Sequence, residues 1–290
     1  MEIPKLGHIN FLNCLPLTYS LKYDGFDQGL AVSSDVPAVL NENIIQNRLD
    51  VSPVSSIIYA RNNEKLLLMP DVSITADGNV QSIILVSKKP IEKLSSDKIL
   101  LTAKSATSHC LLKIILHKAY GANPRYYIRT IDMNTVLAGD ITAKLLIGDD
   151  ALYAKYHQQP GLYYYDIGLQ WKKLTGLRMV YAVWVVNREF AKKRPDLVQY
   201  TYEKVTQGFK NGYAKKRQAI ASVLDTKPFS FTQLDEYLDV IKWDLGQEHL
   251  KALLTFYTLA HELNLIDHVP KFELAKISKP GKNKAYNLYL

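Results

Sequence analysis

The Asn13 amide, the hydroxyl pair Ser55-Ser56 and the hydroxyl run Ser105, Thr107 and Ser108 share one setting. Each follows an apolar run and precedes a helical one. Helix starts expose N–H groups that lack intrahelical partners and carry the positive end of the helix dipole, so small anions, carboxylates above all, bind there. Ser, Thr and Asn are also ordinary N-cap residues, so any one junction is accounted for by capping. Three in one chain imply a site for a small anion. A fourth junction, Ile147-Gly148-Asp149-Asp150, sets a glycine that lets backbone approach closely before two acids. Acids in a first turn offset the helix dipole, which accounts for this pair, and at least one of the two is a candidate for binding. Ser82 stands inside an apolar run where the chain is expected to pass between two lobes.

Other chemistries find no support. The seven histidines include no pair at zinc-helix spacing, and Cys14 and Cys110 are isolated, so neither a metal site nor a disulfide framework is expected. His109, beside Ser108, fits a helix histidine better than an acid or base. There is no Gly-x-Ser-x-Gly elbow, Walker loop or dinucleotide glycine fingerprint. The net charge of +8 is spread over short pairs such as Lys88-Lys89 and Lys172-Lys173 without a nucleic-acid motif, which suits an anionic small molecule and no nucleic acid. No run of about 18 apolar residues occurs, and Glu2, Lys5 and Asn10 interrupt the apolar start, so neither a membrane span nor a signal peptide is expected. A cytoplasmic location follows as an expectation.

The elements that must position these residues alternate. An apolar strand at 6–11 leads to a helix over 36–48, then a strand at 50–54 and a helix opening at Ser55-Ser56, a pattern that implies a parallel sheet. A second unit begins near Val80, with a strand at 99–102 and a helix through His117. The runs 82–86 and 179–186 are expected to form a pair of crossings between lobes, one lobe being inserted into the other. This divides the chain into a first lobe of residues 1–87 and 184–290 and a second of 88–183. The last hundred residues are expected to be helical, with an apolar stripe at Leu250, Leu253, Leu254 and Tyr257, a capping box at Thr232 and Asp235, and a basic surface tail from Lys271.

Several blocks, in order, resemble the chorismate dehydratase (MqnA) family of the futalosine route to menaquinone. They are Gly7-His8-Ile9-Asn10-Phe11-Leu12-Asn13-Cys14-Leu15-Pro16-Leu17, the stretch Asp50 to Arg61, Val80 to Ser87, Ser105-Ala106-Thr107-Ser108, Ile147 to Leu152, and Tyr165 to Leu177. The resemblance spans about residues 6 to 190. It implies an α/β, two-lobed periplasmic-binding-protein-like (type II) fold with two inter-lobe strand crossings and C-terminal helices. It also implies elimination of water from chorismate to give 3-[(1-carboxyvinyl)oxy]benzoate, without a cofactor. Carried over to this sequence, it assigns Asn13 and Ser82 to catalysis and gives Ser55, Ser56, Ser105, Thr107, Ser108 and Asp149 to substrate binding. The implied partner is chorismate alone, with no membrane and with the chain as monomer or homodimer. The sister 1,4-dihydroxy-6-naphthoate synthase family carries an Ile-His-Glu type sequence where this chain has Ile147-Gly148-Asp149, a departure that favours the dehydratase. A non-catalytic cytoplasmic binding protein for a small carboxylate is the remaining alternative, since the fold permits it.

Overall fold

A computed structural model describes residues 2–278. The chain begins with β1 (Lys5–Ile9), α1 (Leu15–Tyr23), β2 (Ala31–Asp35), α2 (Pro37–Ile45), β3 (Val51–Ser55), α3 (Ser56–Asn62) and β4 (Leu66–Ala76). It then builds β5 (Ile83–Ser87), β6 (Lys98–Thr102), α4 (Ala106–Tyr120), β7 (Arg125–Arg129), β8 (Ile141–Ile147), α5 (Gly148–Tyr156), β9 (Tyr163–Asp166) and α6 (Ile167–Thr175). It returns through β10 (Met179–Asn187) and closes with α7 (Arg188–Lys193), α8 (Pro195–Ala214), α9 (Lys216–Ala221), α10 (Phe231–Val240) and α11 (Gln247–Glu262).

Two five-stranded sheets result, in the orders β2-β1-β3-β10-β4 and β7-β6-β8-β5-β9. They follow the same plan. In each, a parallel trio is joined by one antiparallel strand, β10 in the first sheet and β5 in the second, and that strand is the first to enter its sheet after a crossing. The crossings are therefore the segments 77–82 and 167–178, not the strands 82–86 and 179–186. β5 pairs with β8 and β9 inside the second lobe, and β10 pairs with β3 and β4 inside the first. Limits at 87 and 184 would leave β5 outside its sheet and cut β10 in two. Both strands are buried along their whole length and apolar up to a terminal Ser87 and Asn187, which hides from the sequence which lobe they serve.

The parallel strands are followed by helices, and this places the cleft. Pro37 at the start of α2 supplies the fixed φ that a first helical turn tolerates. At Gly148 the backbone adopts φ +61°, and its N–H donates to the Ser82 carbonyl at 2.8 Å, so α5 starts against the outward crossing. The apolar core runs through both lobes: Trp171 of α6 meets Phe256 of α11 edge-on at 6.0 Å, and Trp184 of β10 meets Phe209 of α8 at 5.3 Å.

The C-terminal helices depart from the expected details. The capping box before α10 is formed by Ser230 and Gln233, not Thr232 and Asp235, because the helix starts two residues earlier than the Thr232 cap requires. In α11 Leu250, Leu253 and Tyr257 are buried, whereas Leu254 is half-exposed at the margin of the stripe. Of the tail expected at the surface from Lys271, residues 271–278 are described and run beside β4, the Ala275 N–H donating to the Leu68 carbonyl at 2.8 Å with Ala275 buried, while residues 279–290 lie outside the described residues.

Candidate active site

The cleft between the lobes lies at the C-terminal ends of β1, β3, β6 and β8, where α/β sheets collect ligands. Asn13, Ser55, Ser82, Ser105 and Ser108 all line it, with Ile9, Phe11, Val80, Ile147, Tyr181 and Ile241 among its apolar and aromatic walls. Five residues expected at the site are thus brought together from four separate chain segments. None of the lining residues is an Asp, Glu, His, Lys or Arg.

Asn13 sits in a single 3-10 turn, Leu12–Cys14, between β1 and α1. Its backbone carbonyl accepts a hydrogen bond from Trp243 Nε1 at 2.9 Å, which ties the turn to the segment before α11. Its side-chain Oδ1 is buried and has no partner among the described residues. Buried polar atoms are paired in the great majority of cases, so an orphan beside a cleft marks a place for a ligand atom. Ser82 lies at the mouth of β5, its hydroxyl 3.4 Å from the Val80 carbonyl and hydrogen-bonded to the Tyr237 phenol. Burial holds the Tyr237 phenol well above its ordinary pKa, so it stays protonated.

Ser55, the last residue of β3, donates its N–H to Asn41 Oδ1 at 3.0 Å, which holds the strand end at the cleft. Ser105 is the N-cap of α4, and its hydroxyl bonds to Ser108 one turn on at 3.2 Å. No side chain caps the backbone N–H groups of this first turn, so they remain available beside the cleft.

Three expected binding residues stand elsewhere. Ser56 and Thr107 do not line the cleft; their hydroxyls meet each other at 3.3 Å across the two lobes. Thr107 also accepts from the Ile57 N–H at 3.2 Å, so a residue of the second lobe caps a helix of the first. Asp149 accepts from the Leu12 N–H at 3.1 Å and pairs with Lys227 at 2.6 Å. Both its oxygens are committed, and a carboxylate would repel an anionic ligand. These three residues form a clasp around the cleft. His109 donates to the Thr102 carbonyl at 2.6 Å and takes no part in the cleft, its pKa lowered mainly by burial.

The nearest chemistry-bearing groups outside the lining are likewise engaged. Asp166, the N-cap of α6, accepts from the backbone N–H groups of Val80, Gln81 and Leu169, the Gln81 bond being 2.6 Å. It thereby pins the outward crossing to the start of the return. Burial raises its pKa despite these bonds. Cys14 is buried and its thiol pushed far up by desolvation, so it packs and is no nucleophile. Tyr181 and Tyr237 were not distinguishable in the sequence, because both lie in runs that read as core.

The two sheets, the paired crossings and the cleft between them define a periplasmic-binding-protein-like α/β fold. The structure of protein AF1704 from Archaeoglobus fulgidus superposes with a TM-score of 0.74 at 17% identity, covering 91% of this chain and 98% of that one. The aliphatic sulphonate binding protein SsuA from Escherichia coli gives 0.66 at 14% identity over 99% of both chains. Within this fold, the sequence model for menaquinone biosynthesis matches residues 4–262, and the chain belongs to that family. The chorismate dehydratase of Thermus thermophilus is 35% identical over 198 residues, 63% of this chain and 70% of its own length. That of Campylobacter jejuni is 28% identical over 266 residues, 89% and 98% respectively.

Proposed function

We propose that the chain is a chorismate dehydratase, a hydro-lyase of menaquinone biosynthesis acting in the cytoplasm. The similarity to dehydratases over most of the chain supports this reading, and the composition of the cleft carries its mechanism. Every lining residue is neutral, so the site supplies hydrogen bonds and shape but no side chain that is a base at neutral pH. A substrate that brings its own proton acceptor suits such a site.

Chorismate carries two carboxylates and a C4 hydroxyl. The first-turn N–H groups of α4, with the hydroxyls of Ser105, Ser108 and Ser55, hold the carboxylates. The hydroxyl is the only hydrogen-bond donor of the dianion, and Asn13 Oδ1 is the unpaired acceptor that matches it. In the reaction a ring C–H bond breaks and its electron pair becomes the new ring double bond. The proton passes to the substrate's enolpyruvyl carboxylate, whose ether oxygen is bonded to the ring carbon that loses it; the C4–O bond breaks, and the departing oxygen takes up the proton and leaves as water. Ser82 polarises that oxygen. Aromatisation drives the step, and the protein contributes orientation and preorganised dipoles.

The sister naphthoate-forming reaction is the less suitable reading, because Gly148 stands where that family carries histidine and no imidazole lines the cleft. The assignment is tested by incubating purified protein with chorismate alone and following substrate and product mass by chromatography. Conversion to a product lighter by one water supports it; intact chorismate with folded protein removes it.

A further inference from the structure

Tyr181 reaches the cleft by an irregularity of β10. In a regular strand successive side chains point to opposite faces, yet Tyr181 and Ala182 both line the cleft. The register gives the reason. On β4, Thr75 pairs with Val180 and the adjacent Ile74 pairs with Ala182, which leaves Tyr181 as the extra residue of a β-bulge. Bulges re-aim side chains and recur beside active sites.

The phenol so delivered is buried, and its hydroxyl has no partner among the described residues. A buried unpaired hydroxyl is costly, so its retention calls for a compensating use. Space for it depends on Gly168, where a Cβ would lie 2.4 Å from the Tyr181 oxygen. Burial, with Asp166 and Tyr237 nearby, keeps the phenol proton in place, so the group is a donor. Tyr237 is also the residue whose phenol bonds to Ser82, so both tyrosines belong to the Ser82 side of the cleft.

We infer that Tyr181 is a second substrate-contacting hydroxyl, donating a hydrogen bond to the departing C4 oxygen of chorismate beside Ser82. The inference rests on the dehydratase reading. Tyr181 keeps its own proton; the bond strengthens as charge develops on the oxygen during C–O cleavage, and a group that acts this way lowers the barrier without tightening ground-state binding.

Tyr181→Phe removes the hydroxyl and keeps the ring. The expected result is a fall in kcat of at least about tenfold with KM changed less than about threefold. The melting temperature should stay level or rise, because the lost group has no protein partner among the described residues. An unchanged kcat overturns the inference. So does a rise in KM alone, which would place the bond in ground-state binding, and so does a melting temperature lowered by several degrees, which would reveal a protein partner for the phenol. Wild-type protein that leaves chorismate intact removes the dehydratase reading and this inference with it, whereas an active wild type with an equally active variant removes only the role of Tyr181.

Discussion

The cleft and the clasp around it both draw on small hydroxyl-bearing residues, yet their hydrogen bonds are satisfied to different degrees. In the cleft, Asn13 Oδ1 and the Tyr181 hydroxyl are buried without partners among the described residues. In the clasp, the Ser56 hydroxyl meets Thr107, and Asp149 divides its two oxygens between the Leu12 N–H and Lys227. The open groups lose stability that only a ligand restores, and the closed groups hold the lobes in register. Adjacent serines part in the same way: Ser55 lines the cleft, and Ser56 does not. Changes in the cleft should reduce turnover with little loss of stability, and changes in the clasp should do the reverse.

The sharpest break of this comparison is Asn13→Ala. It removes an acceptor that has no partner among the described residues, so folding stability should hold while kcat falls by about 10²- to 10³-fold, the usual effect of deleting a preorganised polar contact. Urea unfolding alongside steady-state rates would check both halves. Equal losses of turnover for Asn13→Ala and Ser56→Ala at saturating chorismate would erase the distinction between the two regions.

An orphan outside the cleft should behave differently. His8 lies in β1, buried, with Nδ1 unpaired among the described residues. Thr18 donates its hydroxyl to the Cys14 carbonyl, so it must accept from His8 Nε2 at 2.7 Å, which fixes the neutral tautomer. Burial lowers the His8 pKa from 6.5 to about 4. Between these values the unfolded chain binds a proton that the folded protein refuses, so stability is highest above pH 6.5 and falls as pH drops towards 4. The loss amounts to about 3 kcal/mol over that window. Denaturant titrations at pH 7 and pH 4.5 should show it, and His8→Gln should flatten the difference; an unaltered slope in the variant would assign the acid sensitivity to another group.

The smallest effect belongs to the clasp. Asp149→Ala leaves the Leu12 N–H and Lys227 without their shared partner. The pair is partly solvent-exposed, so the expected cost is only about 1 kcal/mol of stability, read as a lower denaturation midpoint. Turnover at saturating chorismate should fall less than about tenfold. A loss as deep as that of Asn13→Ala would return Asp149 to the substrate site.

Much of this division was invisible in the sequence. The strand–helix junctions were legible because apolar strands run into hydroxyl-bearing turns, and they brought Asn13, Ser55, Ser105 and Ser108 to one cleft. Which hydroxyl of a junction faces the cleft depends on where the second lobe lands, and nothing local encodes that for Ser56 or Thr107. β2 was missed because it is largely exposed and lacks alternation, and β4 because Pro70 and the left-handed Asp71 interrupt an apolar run. Tyr181 was hidden for a related reason. It reads as one more core residue of Met179–Asn187, and the bulge that turns it into the cleft arises only from pairing with β4. The crossings were misplaced by a few residues because fully buried strands carry no sign of the lobe they join.

The central claim is that a cleft lined by no carboxylate, imidazole, amine or guanidinium side chain dehydrates chorismate by letting the substrate supply its own base. The most direct test compares wild-type protein on chorismate and on an analogue whose enolpyruvyl carboxylate is replaced by a neutral amide, with product mass followed by chromatography and binding followed by calorimetry. The account predicts loss of one water from chorismate and an analogue that binds but is not dehydrated. Dehydration of the amide at a rate near that of chorismate would contradict it, because the proton would then have to go to a protein group that the cleft does not contain.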